Sequence, residues 1–404
     1  MTNFFIFFVE FLFGYNINIG GQISIGEIII FIWFLTKYKE IHQSKFFQVL
    51  SKMYFFLIMA QVLSECFVSN GLNNSIRGIL VSIFSLLHLT FLCFYIQKSY
   101  KCIPYILIAK GISIFIFAEI DDLNIQNMIG GEESGFVKMQ LAPMIGFLLT
   151  TLSIYLKKQM NSILFLAAGM LMIVMGARSG GMFLAVTGVL GYFMTAEKKL
   201  PQQTLLAYSI IILCTIYALY VLYVNEVLSG NITSGNNHQI RSLSNPYNPF
   251  ELLVRGRSEF FVGITAFFDK FLFGHGAWAM DTTRKYWTLL VKLHGEVYSG
   301  QGTPWMPVHS VILGWGVYNG ILAFIAGMRI FIMFCKMAIK ALKTSAHSPY
   351  IYCLAYSFLN FLWNGLFSPP SHFRLTLPVY MVIIYFCYNQ MKRKQGGNLF
   401  ESMA

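Results

Sequence analysis

Residues 76–96 read IRGILVSIFSLLHLTFLCFYI, and residues 103–120 read IPYILIAKGISIFIFAEI. About 20 predominantly apolar residues carry a helix across a bilayer. Two such runs, joined by a short link holding Lys98 and Lys101, form a helical hairpin that lipid can solvate and water cannot. Similar windows recur on both sides, at 4–18, 22–36, 53–69, 139–156, 162–177, 180–195, 204–228, 308–334, 350–367 and 375–391. Together they predict about twelve transmembrane helices. The first is the weakest, being short and containing Glu10, and without it the count is eleven.

Composition agrees with this reading. Of 404 residues, 56% are hydrophobic and 11% charged, and the mean hydropathy is +0.61. A soluble domain carries about 25% charged residues, so a soluble enzyme and a disordered chain are both excluded. The expected fold is an all-α, polytopic integral membrane protein. The net charge of +12 is spread over short loops rather than gathered on one face, so no nucleic-acid partner is expected. The seven cysteines form no CxxC pair and leave the long polar loop empty, which supports neither a zinc site nor a disulfide framework. No basic region precedes the first apolar run, so a removable signal peptide is not expected.

Lysines set the expected orientation. Lys37, Lys39, Lys45 and Lys52, then Lys98 and Lys101, Lys157 and Lys158, Lys198 and Lys199, Lys336, Lys340 and Lys343, and finally Lys392 and Lys394 mark every second connection. The positive-inside rule puts these in the cytoplasm, with both termini. The arginines run the other way. Arg77, Arg178, Arg241, Arg255, Arg257, Arg284 and Arg374 fall on the outer side, leaving only Arg329 and Arg393 inside. A guanidinium is a permanently charged planar fork suited to phosphate or carboxylate, so an anionic outer ligand accounts for the set. The plainer alternative is that individual arginines pair with Glu251, Glu259 or Asp281, or sit in water.

The chain divides into residues 1–228 with nine spans, a long outer loop over 229–307, and residues 308–404 with three spans and a cytoplasmic tail. The loop opens in a Gly/Asn/Ser-rich stretch from Ser229 to Asn237, a hinge signal. From Pro249 to Phe273 it shows helical amphipathic spacing through Phe250, Leu253, Val254, Arg257, Phe261 and Ile264. Such a helix is expected to lie at the membrane surface as a lid.

Three segments could carry chemistry. Gly176-Ala177-Arg178-Ser179-Gly180-Gly181 is a small-residue outer turn between two spans; an arginine there is costly unless it faces a polar cavity or partner. Arg255-Gly256-Arg257-Ser258-Glu259 leads to Phe273-Gly274-His275-Gly276. His309-Ser310 follows Pro304 and Pro307 and precedes Gly314, Gly316 and Gly320.

These segments, in order, spacing and membrane side, resemble the bacterial O-antigen polymerase and O-antigen ligase superfamily over about residues 165–330. Ala177-Arg178-Ser179-Gly180-Gly181 matches that family's Arg-bearing turn. Phe271-Leu272-Phe273-Gly274-His275-Gly276 resembles its PLFGHG-like turn, with Phe271 in place of the usual proline. His309, Ser310 and Gly320 fit the ligase pattern of His, a small polar residue and a later Gly, which is incomplete beyond Gly320.

The resemblance implies a GT-C-like membrane glycosyltransferase of a bacterial inner membrane, with its active site facing the periplasm. The reaction would be transfer of a growing glycan from undecaprenyl diphosphate onto the next undecaprenyl-diphosphate-linked repeat unit. The donor, acceptor and membrane lipid are the implied partners, with room for a chain-length-regulating membrane protein.

The residues fit this chemistry on their own terms. His309 suits a base for the acceptor hydroxyl. Arg178, Arg257 and Arg255 could clamp the leaving diphosphate, with Arg241, Arg284, His275, His372 and Arg374 as further substrate-binding candidates. No metal or cofactor is expected, since the loop has no DxD and its acids are scattered.

Alternatives stay open. A histidine at a helix start often only satisfies backbone, and His275 between two glycines suits a turn. Glu119, Asp121 and Asp122 resemble the acidic motif of metal-using lipid-linked glycosyltransferases. An O-antigen ligase would differ in its acceptor, lipid A-core. A polysaccharide flippase, the non-enzymatic reading, would use charges within spans such as Lys110 and Glu65 as a transport path.

Overall fold

The structure, a computed structural model, describes residues 2–18, 21–117, 135–195, 214, 217–218, 220–231, 240–241, 243–294, 305–344 and 348–394. Helix dominates, with one small two-stranded ribbon. The helices are α1 (Thr2–Leu12), α2 (Ile25–His42), α3 (Lys45–Phe67), α4 (Leu72–Lys98), α5 (Ile103–Phe117), α6 (Ala142–Leu152, entered through a π-helical turn at Val137–Leu141), α7 (Lys158–Val174) and α8 (Arg178–Thr195). Then come α9 (Pro249–Gly256), α10 (Ser258–Asp269), α11 (Lys285–His294), α12 (Val311–Thr344), α13 (Ile351–Phe367), α14 (His372–Leu375) and α15 (Leu377–Lys394).

Four segments, Lys45–Phe67, Leu72–Lys98, Tyr100–Phe117 and Val311–Thr344, are long and apolar enough to cross a bilayer. Thr2–Leu12, Val137–Leu152, Lys158–Val174 and Ile351–Phe367 are shorter apolar helices. Phe55, Phe56, Ile163 and Val174 on these helices, and Phe31 and Leu35 on α2, are exposed. A soluble protein seldom bares apolar surface so widely, and a multi-pass membrane protein does so by design.

The twelve expected spans are therefore not all of spanning length. The first ends at Leu12, and the chain turns into an antiparallel ribbon in which Asn16–Asn18 pairs with Gln22–Ser24. Asn, Gly and Gln interrupt the apolar run there, and Ser24 and Glu27 form a capping box that restarts the chain as α2. Most of the 204–228 window lies outside the described residues, as do Glu119, Asp121 and Asp122, the 118–134 segment that holds them, and Lys198, Lys199 and most of the Gly/Asn-rich hinge.

α15 is the axis of the core. From Val379 to Tyr388 its side chains are buried all round, Val379 at 0% and Tyr388 at 2% exposed, as an apolar helix must be when neighbours surround it. It packs against α4, α12 and α13. α7 and α8 form the tightest pair: a Cβ on Gly181 would lie 2.6 Å from the Gly169 carbonyl oxygen, and one on Gly188 would lie 2.9 Å from that of Ser162. Small residues let these backbones touch.

The amphipathic stretch at 249–273 is two helices, not one. Arg257, at φ −136° and ψ 31°, breaks it after Gly256, where glycine weakens helix propagation. α10 then packs on α12 through its own core, in which Val262, Ala266 and Phe267 meet Tyr286, Trp287, Leu290 and Val317. The described loop residues 249–294 are thus a packed layer over one end of the bundle, called the loop end below.

α12 carries a break that its periodicity does not announce. Gly320 has φ 74° and ψ −171°, a region that side chains disfavour. The break frees backbone groups, and the Phe273-Gly274-His275-Gly276 turn takes them up. His275 N–H donates to the Val317 carbonyl (2.8 Å), Gly276 N–H to that of Tyr318 (2.9 Å), and Ile321 N–H to that of Phe271 (2.9 Å). A side chain on Gly320 would collide with the Leu272 carbonyl oxygen. α3 grips the same turn from its other side. Ser64 Oγ donates to the Phe273 carbonyl (2.5 Å), Asn70 Nδ2 to that of His275 (2.9 Å), and Glu65 Oε1 accepts from Ala277 N–H (2.6 Å).

Candidate active site

Six residues from five separate elements converge at the loop end. Arg178 opens α8. The preceding Gly176, at φ +95°, ends α7, with Ala177 N–H bonded to the Met172 carbonyl and Gly176 N–H to that of Ile173. This is a Schellman stop, and it turns the chain so that Arg178 leaves at the rim of the hairpin. Its guanidinium lies 5.0 Å from the centre of the Tyr223 ring and donates to the Tyr223 hydroxyl.

Arg257 occupies the break between α9 and α10, which directs its guanidinium inward over Trp363 at 4.4 Å and Phe367 at 5.4 Å, both on α13. Stacking on an aromatic face holds a cation without neutralising it. Glu259 sits in the first turn of α10. Lys138 lies in the π-helical turn that opens α6, a distortion often found at functional sites.

His309 comes just before α12. Its neighbour Ser310 is fully buried and caps that helix, accepting from Leu313 N–H at 3.1 Å and donating to the Gly365 carbonyl at 3.3 Å. The cap fixes where His309 emerges. Its imidazole is open to solvent among these charged groups, the setting called the recess below. Desolvation pushes its pKa below the ordinary histidine value; Glu259 opposes this, while the charges of Arg257 and Lys138 add to it. Arg257, Glu259 and Arg178 in turn lie close enough to Lys138 to act on its charge. His372 completes the group. Burial first, then the nearby His309 and Lys110, push its pKa down to about 4, and its Nδ1 is buried without a hydrogen-bond partner among the described residues.

α14 brings His372 there because both of its last carbonyls are held. His88 Nδ1 donates to the Arg374 carbonyl (2.9 Å) and Lys110 Nζ to that of Leu375 (2.7 Å). Gly314 of α12 leaves room for Pro370, to which a Cβ there would lie 2.9 Å. The recess therefore joins three cations, one carboxylate and two imidazoles with depressed basicity. Its excess positive charge suits an anion, and a neutral imidazole beside that anion can accept a proton.

Of the nine residues singled out in the sequence, Arg178, Arg257, His309 and His372 meet here. The other five do not. Arg255 pairs with Glu251 at 3.6 Å along α9. Arg241 donates to the Val227 carbonyl at 3.2 Å. Arg284 is exposed in a left-handed turn at φ 55°. His275 Nε2 lies 2.9 Å from the Ala266 carbonyl, so this histidine serves the docked turn. Arg374 is spent on Glu27, both of whose oxygens it reaches at 2.7 and 2.6 Å, and on the Gln22 carbonyl. An arginine expected on the outer side can serve the fold instead, as Arg374 does, and only its neighbours show it.

Sequence reasoning missed Lys138, Tyr223 and Trp363, and treated Glu259 only as a counter-ion. Lys138 had a signal: it is a lysine on the arginine side of the lysine pattern, at the outer start of the 139–156 window. Tyr223 and Trp363 sit among many aromatic residues in apolar runs and carry none. The sequence matches no protein-family model and aligns significantly with no curated protein.

Proposed function

We propose that this protein is a glycosyltransferase of the O-antigen polymerase type, acting on undecaprenyl-diphosphate-linked glycans at the periplasmic face of a bacterial inner membrane. The observation that carries this reading is the gathering of Arg257, Lys138 and Glu259 around His309 at the loop end, with Arg178 within electrostatic reach of Lys138. His309 takes the proton of the acceptor hydroxyl as that oxygen bonds to the anomeric carbon of the donor glycan. The bond from that carbon to the diphosphate oxygen breaks, and its electron pair leaves with the diphosphate. Arg178, Arg257 and Lys138 hold the charge that builds there, electrostatic stabilisation by donors already in place. Glu259 favours the imidazolium that forms on His309.

The flippase reading loses support because its candidate path charges have structural partners. Lys110 holds the Leu375 carbonyl, and Glu65 holds Ala277 N–H and accepts from Ser75 Oγ at 2.5 Å. The ligase reading shares the site and differs in the acceptor.

The test is a polysaccharide ladder from cells lacking the gene, complemented with wild type, His309→Ala, Arg178→Ala or Arg257→Ala. Core capped by a single repeat unit in the null supports polymerase. Bare core with accumulated lipid-linked polymer makes the protein a ligase. Wild-type ladders from all three variants at normal protein levels would remove the proposed site.

A further inference from the structure

A second feature lies far from the recess. Between α3 and α12 runs an open groove of about 1080 Å³. Its apolar lining comes from Phe56, Met59 and Leu63 on one side and Leu322, Ile325 and Ile332 on the other, with Ala60 and Ala326 leaving depth between the helices. Its polar lining is four cations: Lys52 on α3 and Arg329, Lys336 and Lys340 on α12. Among the described residues no carboxylate lines it, the four side chains are exposed, and none makes an ion pair with a described residue.

The arrangement along the helices is ordered. The two helices run antiparallel, so Lys52 near the start of α3 and Lys336 and Lys340 near the end of α12 gather at one end of the groove. At 1.5 Å rise per residue, the apolar stretch from Phe56 to Leu63 is about 10 Å long, against about 15 Å for half the hydrocarbon core of a bilayer. The groove thus has an apolar channel about two thirds of a leaflet deep, with positive charge at one end. Along α12, Arg329 lies about 27 Å from Val311, where the candidate site begins. The cations face the leaflet opposite that site.

We infer that this groove binds an anionic glycerophospholipid of the leaflet that the lysine-marked connections face. One acyl chain lies along Phe56, Met59 and Ile325, and the phosphate headgroup is held at the end where Lys52, Lys336 and Lys340 gather, about two helical turns beyond Arg329. Basic clusters at a membrane surface recruit anionic lipid in this way. The groove's walls are the two helices that grip the Phe273-Gly274-His275-Gly276 turn at their other ends, so the bound lipid braces the frame of the candidate site. The inference rests on the membrane location and stands independently of glycosyl transfer.

The test uses the purified full-length protein in nanodiscs of phosphatidylcholine with increasing phosphatidylglycerol, read by native mass spectrometry and thermal unfolding. The expected result is a preference for phosphatidylglycerol over phosphatidylcholine of about tenfold, with a higher melting temperature. Substituting Lys52, Arg329, Lys336 and Lys340 together by Gln abolishes the preference, while Lys157→Gln with Lys158→Gln leaves it intact. Three results would overturn the inference: equal preference in wild type and the fourfold variant, displacement of the lipid by inorganic phosphate alone, or tighter binding of undecaprenyl phosphate than of phosphatidylglycerol. Should the fourfold variant not fold, Ile325→Trp, which fills the channel and keeps the charges, gives a second reading: lipid retention is expected to fall.

Discussion

Two charged clusters lie within this bundle, and they handle charge in opposite ways. In the N-terminal cluster, Glu10 and His88 are 2.7 Å apart and both 0% exposed, Arg374 spans Glu27, and Lys110 and His88 hold the carbonyls of α14. His88 Nδ1 faces a carbonyl, which can only accept, so Nδ1 carries a proton. Its Nε2 faces Glu10 Oε1. Every charge there has an opposite charge or a carbonyl to meet. At the loop end, Arg178 and Arg257 rest on aromatic rings instead, and the cations outnumber Glu259. The first cluster is mortar that holds α1, α2, α4, α5 and α14 together. The second rests its guanidinium groups on rings, and the first holds the carbonyls of the helix that carries His372.

The largest expected effect separates the two at once. His309→Ala, Arg178→Ala and Arg257→Ala each reduce polymer formation by about 10²–10⁴-fold, the usual range for losing a general base or a charge-stabilising donor, at unchanged protein level. Polymer yield normalised to immunoblotted protein is the readout. Arg257→Lys keeps the charge but loses the planar stack on Trp363, and activity is expected to stay low.

Next, Arg374→Ala should act through folding. Leaving Glu27 buried without its partner costs about 3–5 kcal/mol, seen as loss of protein from the membrane fraction and a lower melting temperature. Replacing both partners, Arg374→Met with Glu27→Leu, should recover much of that stability, because two apolar side chains leave no uncompensated charge. If the double variant is as unstable as the single one, the mortar description fails.

Gly320→Ala tests whether the docked turn joins the two regions. Its φ of 74° and the nearby Leu272 carbonyl predict a loss of about 1–3 kcal/mol from backbone strain alone. Protease sensitivity in the 249–294 segment should rise before the bundle itself unfolds.

The smallest effects concern pH. Burial lowers the pKa of His309, Glu259 raises it, and Arg257 and Lys138 lower it. The imidazole therefore stays neutral, and competent as a base, to a pH below the ordinary histidine value of about 6.5. Activity should fall on the acid side below that pH. Glu259→Gln removes the charge favouring imidazolium and moves this limb to lower pH. Lys138→Met removes an opposing charge and moves it to higher pH. Limbs that do not move, or that move the other way, would detach these groups from His309.

Much of this was open to reading from the chain. Apolar run length marked the helices because each run carries its signal within itself, Arg178 and Arg257 stood out as arginines against the lysine pattern, and His309 stood out as an imidazole at the start of an apolar run. The finer span count failed where short polar interruptions, such as residues 13–18, end a helix before it reaches spanning length. The apparent single helix at 249–273 failed because Gly256 and Arg257 permit a break whose use depends on what lies inward, namely Trp363.

The sequence by itself determined the apolar, helical, multi-pass class of the protein, since hydropathy and spacing are local properties summed along the chain. Tertiary structure alone decided which of the similar arginines work together. Arg178 and Arg374 look alike in sequence, each beside small or turn-forming residues at a helix end. One meets Tyr223 and the other Glu27, partners 45 and 347 residues away. Likewise Gly320 and the Phe273-Gly274-His275-Gly276 turn are separate glycine signals in the chain and one interlocked unit in the fold. A charge or a freed backbone group acquires its role from the partner it reaches, and that partner is chosen by packing over distances that no local pattern records.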